Sequence, residues 1–189
     1  MNDRQKVQYL AEIIAQAEFV GFAVEILNAE LELERPNIRR VFFSLQAILN
    51  HSANISKIIW GAPGRTYDKS FKDARTSWIQ SVLGVNETSI LHSREMRNNL
   101  EHLDDRIDHW SVDPATMGNS VDFYLGRVGG IVVQGAPPQV FFRQYSPQDK
   151  TMRFFDQEIN IQDLVIEVGR VKELAIGVSD LLQPHRIRF

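Results

Sequence analysis

The residues whose types and spacing promise chemistry are Arg97, Asn98 and His102, in the stretch Arg97-Asn98-Asn99-Leu100-Glu101-His102. A histidine with an ordinary pKa of about 6.5 takes up and releases a proton near neutral pH. An arginine five positions earlier is a permanent, planar fork of donors suited to a phosphate. Asn98 precedes His102 by one helical turn and shares its face, where its amide can orient an imidazole or bind a phosphate oxygen. Together they suit proton transfer at an oxygen beside a phosphate, with the developing charge held by the guanidinium. The plain alternative is an exposed i,i+4 ion pair between Arg97 and Glu101 on a solvated helix.

Around this motif Met96, Leu100, Leu103, Ile107 and Trp110 recur at alternating four and three residues and predict an amphipathic helix. At about 100° per residue, Arg97 falls about 100° from that apolar stripe, Asn98 about 200° and His102 about −120°. All three point away from the core of their own domain, toward solvent or toward a cleft completed by a second copy of the chain. The same helix offers a competing stripe, Asn98, His102, Asp105 and His109, whose histidines and carboxylate are metal-ligand types. That site lacks a third strong ligand unless His51 or His92 supplies one from another element.

An arginine, a polar residue, three more positions and then a histidine, on a late helix of a helical domain, resemble the HEPN superfamily. The pattern of that family is Arg, four to six residues, His, with Asn, Asp or His commonly following the Arg, as Asn98 does here. The resemblance implies a helical bundle, a symmetric homodimer and metal-independent RNA cleavage through the substrate's own 2′-hydroxyl, with no cofactor. It gives His102 the proton transfers, Arg97 the phosphate and Asn98 the support of either. It also implies RNA as substrate and a cognate antitoxin or other partner protein for toxin and defence members, while the absence of cysteine separately biases the expected location toward the reducing cytoplasm. Non-catalytic interaction or nucleotide-binding modules belong to the same superfamily. Some toxin members carry a Tyr two residues after the His, where this chain has Asp104.

The elements that must position the motif follow from patterning. Val7, Leu10, Ile14, Ala17, Gly21 and Val24 predict a first long helix from Asp3 toward Glu34. After Pro36-Asn37, the stripe Ile38, Val41, Leu45, Ile48, Ser52, Ile55 and Ile59 predicts a second, stopped by Gly61-Ala62-Pro63-Gly64. Phe71, Ala74, Trp78 and Val82 mark a third, ended by Gly84. Asn160 and Asp163 open a last helix striped by Leu164, Val168, Val171, Ala175, Val178 and Leu182. Between them, 121–128 with 131–134, and 140–145 with 151–158, read as two hairpins. The expected architecture is one mainly α domain over 1–189. It is an antiparallel bundle of about five helices with a β-hairpin insert at about 119–159, since paired hairpins alone have too little core to stand.

Composition narrows the function classes. A chain of 189 residues buries roughly two-thirds of its unfolded surface without staples. No cysteine is present, which excludes disulfides, thiolate metal sites and a Cys nucleophile. No signal-type or spanning apolar run occurs, so no membrane role is expected. The net charge of −3 is unevenly spread. Residues 1–34 hold two Lys/Arg against seven Asp/Glu, 35–97 hold ten against four, and 98–122 hold one against six. The acids after His102, among them Asp104, Asp105 and Asp108, oppose a polyanion unless the basic middle outweighs them. Candidates for that are Arg39, Arg40, Lys57, Lys69, Lys72, Arg75 and Arg94. The polar run Asn50, His51, Ser52 and Asn54 reads as a buried hydrogen-bonded group or as a lining of the cleft. Trp60, Trp78 and Trp110 read as core, and Phe141-Phe142 and Phe154-Phe155 place one ring on each face of the sheet. His185, Arg186 and Arg188 form a short basic tail.

Overall fold

A computed structural model describes residues 1–61, 68–93, 103–112, 120–127 and 140–183. The described chain is mostly helical with a small sheet. Its elements are α1 (Asp3–Leu31), α2 (Ile38–Trp60), α3 (Lys69–Leu83), a 3-10 turn (Ile90–His92), α4 (Leu103–Val112), β1 (Ser120–Val121), β2 (Tyr124–Leu125), β3 (Val140–Phe141), β4 (Arg143–Ser146), β5 (Thr151–Phe154), β6 (Gln157–Asn160) and α5 (Ile161–Leu182). No described helix is long and apolar enough to cross a membrane.

Side-chain caps fix the helix starts. Asn2 and Gln5 form a capping box on α1, Asn37 accepts from the amides of Arg39 and Arg40, Asp68 from Phe71, and Asn160 from Asp163. The α3 stop is Gly84, left-handed at φ 56°, a conformation glycine adopts without a Cβ penalty. The α2 end is closed from α3: Arg75 donates to the Ile58 carbonyl and Gln80 to that of Ile59 at 3.3 Å. Those side chains meet the orphan carbonyls at the negative end of the helix dipole.

α1 and α2 run antiparallel. Arg40 pairs with Glu30 at 2.7 Å near one end, and His51 Nδ1 lies 2.8 Å from Gln16 Oε1 toward the other. α5 packs along α1 as well, with Lys172 reaching Glu18 at 3.6 Å. The core holds Leu10, Ile13, Val20, Phe42, Leu45, Ile48, Ile55, Ile79, Val168 and Val171. The α2 stripe is buried as the sequence spacing predicts, apart from half-buried Ile38. Two faces are rotated from the expected ones. On α1 the buried positions include Ile13, Val20 and Ala23, while Ile14 and Val24 are half-buried and Gly21 is exposed. α1 carries apolar residues nearly all round, so its periodicity does not single out one face. On α3, Ile79, Leu83 and Arg75 turn inward and Ala74 is exposed, because the guanidinium of Arg75 caps α2.

The sheet contains pairings that two local hairpins do not. β1 pairs with β3 and β2 with β4, both in parallel, so the 121–128 arm joins the later strands. The expected partner run 131–134 lies outside the described residues. Thr151–Glu158, read as one strand, is two: β5 and β6 fold back antiparallel on each other across Phe155-Asp156, giving the order β2-β4-β5-β6. Phe155 takes φ 52° at that turn, a conformation a phenylalanine does not advertise in sequence. The β4–β5 hairpin, with Tyr145 opposite Met152, is as expected.

Candidate functional site

Arg97, Asn98 and His102 lie outside the described residues, as do Arg94, Glu101 and the tail residues His185, Arg186 and Arg188. The two ends of their segment are placed. On the near side, Ser89 caps the 3-10 turn through the Leu91 amide and donates at 2.8 Å to Glu167 of α5. Arg170 grips the same carboxylate at 2.7 and 2.9 Å and donates to the Leu83 carbonyl at 3.1 Å. Its guanidinium, with a smaller contribution from the Ser89 hydroxyl, holds the Glu167 carboxyl below the usual glutamate range against the opposing effect of partial burial. This clamp ties the end of α3, the 3-10 turn and α5 together just before the chain enters the motif.

From there Leu91 is buried and the His92 ring sits 5.1 Å from that of Trp60. Ser93 borders a cavity of about 30 Å³ lined by Leu49, Ser52 and Ala53 of α2, Ile159 of β6 and Leu164 of α5. That volume suits a single water and no substrate. Buried in its wall, the Ser52 hydroxyl has no hydrogen-bond partner among the described residues. On the far side, α4 rests on the sheet: Trp110 meets Phe142 edge-on at 5.1 Å and Arg106 reaches Asp156 at 3.6 Å.

The chain therefore enters the motif against the middle of α2 and leaves it on the sheet. Ala53, which lines the same cavity as Ser93, belongs to a row on α2 made of Arg39, Gln46, Asn50, Ala53 and Lys57, spaced seven, four, three and four residues apart and so on one side of the helix. Arg39 and Asn50 are exposed and Gln46 and Lys57 half-buried. The other basic candidates divide. Arg75 is buried, donates to the Ile58 carbonyl and lies 5.0 Å over the Tyr9 ring, which commits it to the fold. Arg40 is held by Glu30 although its side chain is 62% exposed. Lys69 is exposed in the first turn of α3, and Lys72 is half-buried one turn further on.

The polar run on α2 splits between two sides. His51 and Asn54 turn to α1, where both meet Gln16 Oε1, at 2.8 and 3.2 Å, and the Phe19 ring stands 5.0 Å from His51. Ser52 turns inward to the cavity. His51 is thus part of the α1–α2 contact. Of the alternative metal stripe, Asp105 and His109 are exposed on α4, and Asn98 and His102 lie outside the described residues. Among the described residues no group of three His, Asp or Glu could hold a metal. Asp104 and Asp108 are exposed on α4. Trp60 and Trp78 pack against the core, and Trp110 covers the second sheet face, where Phe142 also meets Phe155 at 4.9 Å. Arg39 and Lys57 are sequence candidates by charge alone, and the structure adds that Ala53 of their row lines the same cavity as Ser93. Comparison with protein-family models, with curated proteins and with solved structures returned no match.

Proposed function

We propose that the chain is a HEPN-like, metal-independent endoribonuclease that acts as a homodimer in the cytoplasm, its helices arranged as an antiparallel bundle with the β insert before the last. His102 transfers the proton of the ribose 2′-hydroxyl or of the leaving oxygen, Arg97 binds the phosphate, and Asn98 orients the imidazole. The observation that carries the reading is the α2 row. Ser93, from which the chain runs on toward the motif, lines the same cavity as Ala53, and Ala53 is in line with Arg39, Asn50 and Lys57 on α2. A polar and basic row there gives an RNA backbone a track to the motif and offsets the acids of α4.

With EDTA present, purified protein should cut single-stranded RNA to products ending in a 2′,3′-cyclic phosphate. His102→Ala and Arg97→Ala should each lower the rate by about 10²-fold or more while the far-ultraviolet dichroism stays unchanged. Absence of cleavage by the wild type across a broad RNA panel sinks the nuclease. A second reading, a non-catalytic interaction module, is favoured by one observation, the exposed apolar side chains of Phe19, Phe22 and Ile26 on α1 and Phe43 on α2. It predicts binding without cleavage.

A further inference from the structure

Most aromatic rings of the chain are committed to packing. Trp60 and Trp78 lie against the core, Trp110 meets Phe142, and Tyr145 and Phe154 are buried. Among the described residues three large rings stay exposed, Phe19 at 44% and Phe22 at 57% on α1 and Phe43 at 64% on α2. An exposed ring can stack on a planar ligand, and the neighbouring charge decides which ligands approach it.

The surroundings of the three differ. On α1, Glu18 precedes Phe19 and Glu25 follows Phe22 by three residues. Phe19 also has its ring 5.0 Å from that of His51. α2 carries no acid from Ile38 to Trp60. Glu30, which reaches α2 from α1, is engaged by Arg40 at 2.7 Å. Phe43 lies four residues after Arg39, three before Gln46 and seven before Asn50. Helical spacing therefore sets its ring in the row of those three side chains, along about 16 Å of helix. Arg39 and Asn50 are exposed and Gln46 is half-buried, so the polar and basic row also carries an open aromatic face.

A guanidinium one turn from an exposed ring matches the two parts of a nucleotide. The charge takes a phosphate and the ring takes the face of a base. Gln46 and Asn50 add amides whose donors and acceptors suit the edge of a base stacked there. In a duplex the base faces are covered by their neighbours, so a ring on a helix surface engages only a base that is unpaired and splayed out. We propose that Phe43 is a base-stacking platform beside Arg39, a binding residue that makes the α2 row hold single-stranded RNA in preference to duplex. The inference rests on the preceding reading for RNA as the ligand and uses none of its cleavage chemistry.

The probe is a short fluorescent RNA strand with 2′-O-methyl riboses, which cannot be cut through the 2′-hydroxyl, used alone and annealed to its complement. Anisotropy titrations of the full chain should show the strand bound roughly tenfold more tightly than the duplex. Phe43→Ala should weaken strand binding roughly tenfold, the worth of one stacked base, and change duplex binding by less than about twofold. The salt dependence should keep its wild-type slope, because the ring neutralises no phosphate. Phe43→Trp should bind the strand as the wild type does, whereas Phe43→Leu, apolar but without a π-face, should bind like Phe43→Ala. A wild type that binds neither form, a strand affinity unchanged in Phe43→Ala, equal losses on strand and duplex, or full binding by Phe43→Leu overturns the proposal. RNA cleavage is read separately. A wild type that holds the strand through Phe43 and cuts no natural RNA overturns the nuclease alone. One that cuts RNA while Phe43→Ala binds the strand undiminished overturns the platform alone.

Discussion

Arg75 and Arg39 bear the same charge and do opposite work. Arg75 is buried, closes the α2 terminus at the Ile58 carbonyl and covers Tyr9, whereas Arg39 is exposed in the row beside Ser93. Arg75→Ala should therefore cost about 2 kcal/mol of stability, through a lost charge-assisted bond and an orphaned carbonyl, and leave RNA affinity per folded molecule unchanged. Arg39→Ala should keep stability within about 0.5 kcal/mol and flatten the salt dependence of RNA binding by about one unit of logarithmic slope. Denaturant titrations and binding isotherms at several salt concentrations measure the two. Glu167 adds a pH dependence. Its folded carboxyl is held below the ordinary glutamate value by Arg170, so its stabilisation is complete above about pH 4.3 and is lost as pH falls through the folded value. The stability gap between wild type and Glu167→Gln should be full at neutral pH and shrink on acidification below that point. A gap that widens in acid would contradict the clamp.

At the scale of elements, α4 is the piece that joins the motif to the sheet, and its visible hold is aromatic. Trp110→Ala removes the edge-on contact with Phe142, worth about 1 kcal/mol beyond buried area. Amide exchange of α4 should quicken while α1 and α2 keep their protection, and equal loss in all three helices would show that α4 does not move as a separate unit. The elements also show what could be read in advance. α2 and α5 were legible because caps at Asn37 and Asn160 and regular three-four stripes agree with each other. The β4–β5 hairpin was legible because its strands are neighbours in sequence. The parallel pairs β1–β3 and β2–β4 were not, since nothing local states that residue 124 meets residue 144. The β5–β6 turn was hidden because Phe155 does what glycine usually does. The motif itself is a local pattern and was legible as one. That Ala53 of the row from Arg39 to Lys57 shares a cavity wall with Ser93, and that His51 meets Gln16, 35 residues away in the chain, are long-range facts that no local pattern states.

At the scale of the whole molecule, association and folding are linked. A dimer that forms only from folded protomers draws the unfolding equilibrium toward the native state by mass action, and the pull grows with protein concentration. Where the dimer dominates, each tenfold rise in concentration adds about 1.4 kcal/mol per dimer, hence about 0.7 kcal/mol per protomer. For a domain of 189 residues a shift of 1 kcal/mol moves the melting temperature by about 2–4 °C, so tenfold dilution should lower it by about 2 °C. Phe22→Glu, which places a charge on the exposed side of α1 without touching the core, should keep one melting temperature up to concentrations roughly tenfold above those at which the wild type begins to shift. The two curves should converge as the wild type is diluted below its dissociation constant. Parallel curves, with the variant lower by a constant amount, would mean that Phe22 stabilises the protomer itself and takes no part in association.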